Sequence, residues 1–259
     1  MLSCEISSTK ASLKNTVFLL VVREFNRMSK EPSRLLGILM QPLLFLVVFG
    51  AGFHRSFFWK ESSSISYVKF FFPGILALVV LFSSIYATLT LVEDKKCGLF
   101  RLVSISPSGL EGAIIGKVLA TTLIGFGQSC LFLPLMIFLD IHIPFISLFW
   151  VLILLLLGSL TCALLGVLLA WLSPSSAAFH GFMSVFLIPM WLLSGAMFPI
   201  DGTWFEKIGW INPMSYLVSA LRGIFVEEPD FFLQVIYLVF FSFLITMLLI
   251  LAVMKRPLE

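Results

Sequence analysis

Charge is scarce in this chain: Asp, Glu, Lys and Arg make up 12% of its 259 residues, about half the share of a soluble domain. None of the four occurs anywhere in 35–53, 70–92, 118–139, 146–171, 179–198 or 231–254. That gap excludes a proton- or ion-coupled carrier, which keeps a titrating group at membrane depth. It also leaves no long polar stretch from which a separate soluble domain could fold.

Other absences narrow the function further. The four cysteines, Cys4, Cys97, Cys130 and Cys162, show neither CxxC nor Cys/His ligand spacing, so no disulfide framework or zinc site is expected. The nearest approach to a phosphate-binding loop, Gly112 to Val118, is one residue short between its glycines and ends in Val. A P-loop needs the longer turn and a hydroxyl for magnesium; Gly112 and Gly116 instead suit a close approach of helices. Ser194 is the one candidate nucleophile at membrane depth, and no histidine shares that depth. His142 and His180 read as boundary histidines. No cleavable leader is expected, because residues 1–16 are polar and Val17–Val22 is too short an apolar core.

What remains is oil. Hydrophobic residues reach 59%, 28 of them Phe, and the mean hydropathy is +1.07. Each of the six charge-free runs approximates the ~20 residues that cross a bilayer's hydrocarbon, so the expected fold class is all-α: a polytopic membrane protein with six transmembrane helices. Pro42, Pro134 and Pro189 fall inside these runs and predict kinks. Lys and Arg concentrate in the N-terminal segment, the 93–117 connection and the tail, which by the positive-inside rule puts both termini in the cytoplasm.

Three further segments carry pattern. Residues 13–28 read as an amphipathic interfacial helix with Val17, Phe18, Val21, Val22, Phe25 and Met28 on one face and Thr16, Arg23, Asn26 and Lys30 opposite. Residues 93–107, EDKKCGLFRLVSISP, mix both charge signs with apolar residues and stop at a proline: either a solvated extension of the second span or a docking element. Residues 199–222 hold two Trp, a Phe and a Tyr, an interfacial set. There Asn212-Pro213 predicts a helix start, with Asn as cap and Pro at the first position. The apolar run that follows is too short to cross, so a re-entrant or surface-lying helix is expected.

On the stretches FFPGILALVVLFSSIYATLTLVEDKKCGLFRLVSISP, GKVLA, LLSGAMFPI and NPMSYLVSALRG, the chain resembles the ABC-2 type exporter permeases, a family that includes daunorubicin-resistance, nodulation-factor and O-antigen export permeases. The interval from Pro199 to Pro213 and the residue before Gly202 depart from the family pattern. The resemblance implies one transmembrane domain over 1–259: an interfacial helix at 10–34, a cytoplasmic coupling loop at 93–117, and an outer loop at 199–230 with a short re-entrant helix between helices five and six. It implies a non-enzymatic half-transporter that pairs with a second permease copy, itself or a paralogue, in the cell (inner) membrane. ATP and magnesium then sit on a separate cytoplasmic ATPase subunit, with no cofactor in this chain. Glu93, Asp94, Lys95, Lys96, Gly98, Arg101 and Pro107 become the ATPase-coupling residues. Ser194, Gly195, Pro199, Asn212, Pro213, Tyr216 and Arg222 line or support the outer gate. The Phe-rich spans suit an amphipathic, lipid-linked or drug-like cargo. The competing reading is a membrane-embedded scaffold with no transport path.

Overall fold

The computed structural model describes residues 13–53, 67–100, 109–200, 205–226 and 231–255, and among them no strand occurs. The helices, in order, are α1 Leu13–Ser29, α2 Pro32–Phe53, α3 Tyr67–Lys96, α4 Gly109–Phe132, α5 Leu135–Phe138, α6 Phe145–Leu172, α7 Ser176–Leu192, α8 Phe205–Gly209, α9 Pro213–Val226 and α10 Phe231–Lys255. Among the described residues, four stretches are long and apolar enough to cross a bilayer: Tyr67–Lys96, Leu110–Phe138, Phe145–Leu172 and Phe231–Lys255. The first and fifth expected spans fall in the shorter apolar stretches Leu35–Gly50 and Ser176–Leu192.

Helix α3 is the axis. It packs against α2, α4, α6, α7 and α9, and from Phe70 to Leu81 its side chains are sealed from the surface. Its hydrophobicity therefore reflects protein packing, whereas α10, which is mostly exposed, owes its own to lipid. Small residues let the neighbours in. A Cβ on Gly74 would lie 2.6 Å from the Ala196 carbonyl oxygen, and the Trp191 indole donates to the Gly74 carbonyl at 2.8 Å. The glycine closeness expected at Gly116 is present: a Cβ there would stand 3.1 Å from Leu20 of α1.

Several boundaries move. The expected 10–34 interfacial helix is two helices, because Pro32 has no N–H to continue α1 and instead occupies the first turn of α2. The expected 93–117 loop shrinks from both sides: Glu93 to Lys96 complete α3, and residues 109–117 belong to α4. The third span, expected at 118–139, starts nine residues earlier and so contains Glu111 and Lys117. It breaks after Phe132, where Pro134 cannot supply a helical donor. The short α5 then closes with Asp140 at φ 56°, and Ile141 N–H reaches back to the Met136 carbonyl at 2.9 Å, a left-handed helix ending that Asp tolerates. The fifth span stops at Leu192 rather than Phe198, turning through Gly195 at φ +75°.

Contacts fix the relative ends. Glu24, Asp94, Lys117, Trp171 and Ala252 meet at one end. Tyr67, Trp150, Met197 and Phe231 meet at the other. Helix α9 starts well inside: Met214 Sδ accepts from Cys162 Sγ at 3.6 Å, and Leu217 sits on Gly158, both on the middle of α6. It then climbs to Arg222 and Phe225, which pack on Phe70 and Phe72 near the far end of α3.

Candidate functional site

At the end that carries the 97–108 connection, three helices bring six charges together. Arg23 of α1 grips Asp94 of α3 with two hydrogen bonds, Nη2 to Oδ1 at 2.6 Å and Nη1 to Oδ2 at 3.1 Å. Arg27, one helical turn on, bonds Asp94 Oδ1 at 3.2 Å and also pairs with Glu93. Beneath them Lys117 Nζ of α4 lies 2.8 Å from Glu24 Oε2. Thr90 donates to that same oxygen at 2.9 Å and accepts from Lys117. Glu24 and Lys117 are each 4% exposed and Asp94 5%. Three cations face three anions, so the burial is electrically balanced, which is the condition under which buried charge is tolerated. The hydrogen-bonded Asp94 carboxylate holds the Arg23 guanidinium above its usual range. The two spaces beside Glu24 measure about 10 Å³ each, room for roughly one water apiece. This cluster is a fastening, not a ligand pocket.

The fastening corrects the expected face of α1. Val17, Val21 and Met28 turn toward the bundle, but Phe18 at 67% exposed, Val22 and Phe25 turn away. Arg23, expected on the solvated face, stays 39% exposed along its side chain while its guanidinium reaches Asp94. Glu24 and Lys117 were not legible as a pair: they lie in different segments, and each reads alone as a boundary charge.

Lys95 ties the same region to α6. Its ammonium donates to the Trp171 carbonyl at 2.6 Å and the Ser173 carbonyl at 3.4 Å, capping the helix where free carbonyls and the dipole favour a cation. It also stands 5.3 Å from the Trp171 ring centroid. Trp171 in turn packs edge-on against Phe100 and donates to the Ala252 carbonyl of α10 at 3.3 Å. Lys96 and Cys97 are exposed, and Gly98 turns the chain at φ +73°. Of the seven residues expected to couple to an ATPase, Glu93, Asp94 and Lys95 thus already have partners within the bundle. Arg101 and Pro107 lie outside the described residues.

The far end holds a half-open cavity of about 540 Å³ with both polar and apolar lining. Asn212 caps α9 as its sequence predicts, its Oδ1 accepting from Met214 N–H at 3.0 Å. Its Nδ2 also donates to the Met190 carbonyl at 2.6 Å, joining α9 to α7. Pro213 takes the first helical position. Ser194 donates to the Trp191 carbonyl at 2.5 Å. Arg222, buried, donates to the Gly195 carbonyl at 2.7 Å and lies 3.9 Å over the Phe70 ring. Tyr216 donates to the Trp210 carbonyl at 2.7 Å. Ser194, Gly195, Tyr216 and Arg222 line the cavity, while Asn212, Pro213 and Pro199 do not. Ser215, Ser219, Gln234 and Tyr237 also line it and escaped the sequence reading. The signal for the serines was present: 215, 219 and 222 fall on one helical face.

A family profile described as ABC-2 type transporter matches residues 15–226. The chain is 29% identical over 234 residues to a protein named as a transport permease, ycf38, of Cyanophora paradoxa, covering 87% of this chain and 80% of that one. It is 26% identical over 207 residues to nodulation protein J of Rhizobium meliloti (strain 1021), covering 76% of each. It is 24% identical over 198 residues to the daunorubicin resistance ABC transporter permease protein DrrB1 of Streptomyces coeruleorubidus, covering 74% of this chain and 68% of that one.

Proposed function

The chain belongs to the ABC-2 type transporter family, and from that premise we propose that the 97–108 connection is where a separate ATPase subunit pushes. A membrane permease subunit of an ABC exporter is not itself an enzyme; ATP is hydrolysed on another subunit, and the work has to enter this chain through a contact. The observation that carries the reading is the fastening of the α3 side of that connection. Glu93 and Asp94 bind it to α1, Lys95 binds it to α6, and Phe100 packs on Trp171. A displacement there moves α1, α3 and α6 as one body instead of bending a loop.

The finer features follow the same logic. ATP and magnesium belong to the partner. The basic end faces the cytoplasm, with both termini on that side of the cell (inner) membrane. Six crossings require α2, 22 residues long, and the shorter α7 to span as well, with local bilayer thinning making up the difference at α7. Helix α9, starting at the depth of Cys162 and climbing outward, acts as a re-entrant outer gate with Arg222 fixing its upper end against Gly195. A cargo path through a single chain would have to displace α3, which is packed on every side; a path between two permease copies avoids that cost. The cargo is amphipathic, lipid-linked or drug-like, matching apolar walls and a chamber of mixed polar and apolar lining at one end.

The docking assignment is tested by co-purification of the ATPase subunit with Lys96→Glu combined with Arg101→Glu. Loss of the partner from an otherwise folded permease is expected. Undiminished binding would overturn the assignment. Glu93 is unsuitable for this test, since reversing it would also break its pair with Arg27.

A further inference from the structure

Helix α1 keeps an outer side that the fastening does not use up. Leu19, Val22, Arg23, Asn26, Arg27 and Lys30 line an open groove there. Recurrence at i, i+3, i+4, i+7 and i+8 puts the first five on one face of α1, and Lys30 follows at its end. Leu19 and Val22 are exposed, as are Phe18 and Phe25 beside them. No acid is among the described residues that line the groove, because Glu24 and Asp94 are buried behind the arginines. Arg23 commits two N–H donors to Asp94 of the five that a guanidinium carries. Arg27 divides its donors between Asp94 and Glu93. The exposed Lys30 ammonium has no partner among the described residues.

We infer that this groove binds an anionic phospholipid of the bilayer, its phosphodiester held by Arg23, Arg27 and Lys30 and an acyl chain laid on Leu19 and Val22. The inference rests on the charged end meeting a membrane surface, the inner leaflet in the reading above. Guanidinium donors match phosphate oxygens as a fork, and an ammonium adds a point charge. The apolar neighbours suit the headgroup–acyl boundary, where an amphipathic helix seats its oily side. A zwitterionic lipid fits less well, because its own ammonium would face three cations. A soluble phosphate would leave the apolar half uncovered. A headgroup held here also keeps α1 at the membrane surface when the connection after Asp94 is loaded.

The test attaches a bimane to Ser29→Cys in the full chain, with Cys4, Cys97, Cys130 and Cys162 replaced by Ala, reconstituted with its ATPase subunit. Phosphatidylcholine nanodiscs receive a minority of either phosphatidylglycerol or phosphatidylcholine bearing a doxyl quencher high on one acyl chain. The glycerol lipid is expected to quench about fivefold more strongly, the preference that one basic side chain gives at an anionic surface. Lys30→Glu is expected to bring the two lipids level. Lys14→Glu, about 24 Å away along the helix, is expected to leave the preference intact. An equal loss from Lys14→Glu would make the attraction diffuse and overturn the site. Equal quenching by both lipids, or by neither, overturns the proposal. So does loss of the ATPase subunit on Lys30→Glu while the lipids quench alike, which assigns this face to that protein. Dissolved glycerophosphate that cancels the preference assigns the groove to a soluble anion and overturns the lipid. Both leaflets carry the quencher, so an inverted topology leaves these outcomes unaltered. Inversion shows instead as labelling of Ser29→Cys by an impermeant thiol reagent outside intact cells.

Discussion

Lys117 and Glu24 form a salt bridge at 2.8 Å between α4 and α1, and neither side chain reaches the surface. The bridge converts an amphipathic helix that could lie loosely on a membrane into part of the bundle. Glu24→Gln leaves a buried ammonium without its counter-charge, and a loss of about 3–5 kcal/mol is expected. The double change Glu24→Leu with Lys117→Met should recover most of it, because two apolar groups satisfy each other. Thermal unfolding of the purified protein in detergent compares the two. A double variant no better than the single would show that the pair's charge is not what holds α1.

Gly74→Ala drives a methyl group into the Ala196 carbonyl oxygen at 2.6 Å. Backbone lies on both sides, so α3 and the turn after α7 must part, and the Trp191 bond to Gly74 stretches with them. Overpacking of this kind costs about 1–3 kcal/mol. Gly37→Ala, where a Cβ meets nothing within 4 Å, is expected to be neutral or stabilising by up to about 1 kcal/mol. The two melting temperatures should move in opposite directions or differ clearly in size.

Asn212 does two jobs, and substitution separates them. Asn212→Asp keeps the acceptor for Met214 N–H but loses the donor to Met190. Asn212→Ala loses both. A cap is worth about 1 kcal/mol, and losing the part-buried bond to the Met190 carbonyl adds about 1 kcal/mol. Asp is therefore expected to fall between wild type and Ala in thermal stability. Equal stability of the Asp variant and wild type would remove the α7 contact from the account.

Lys95→Met is expected to leave ATPase binding intact while lowering transport-coupled ATP turnover several-fold. The substitution keeps apolar packing near Trp171 but removes the ammonium that caps α6, so displacement of the connection no longer carries α6 with it. Unchanged coupling, measured as cargo moved per ATP in proteoliposomes, would place the transmission elsewhere.

Much of this architecture was legible in the residues. Charge-free runs of bilayer length report the apolar helices because lipid and a membrane core make the same demand on side chains. Asn212-Pro213 declared the start of α9 because capping is local, needing only atoms a few bonds apart. The helix ends at the charged side were misread for the opposite reason. Lys117, Glu93 and Asp94 look like loop charges when solvent is the assumed partner, and they become helix residues once partners from other segments neutralise them.

Sequence alone determined that the chain is a membrane-embedded helical protein with one charged end and a capped helix between residues 213 and 226, since hydrophobic length, charge bias and local capping act within a few turns of chain. Only tertiary structure decided that α3 is buried by protein while α10 faces outward, that α1 docks through Arg23, Glu24 and Arg27, and that Ser215, Ser219 and Gln234 share a chamber. Those outcomes depend on groups tens of residues apart, whose mutual distance no linear pattern carries. Electrostatics and packing respond to distance in space.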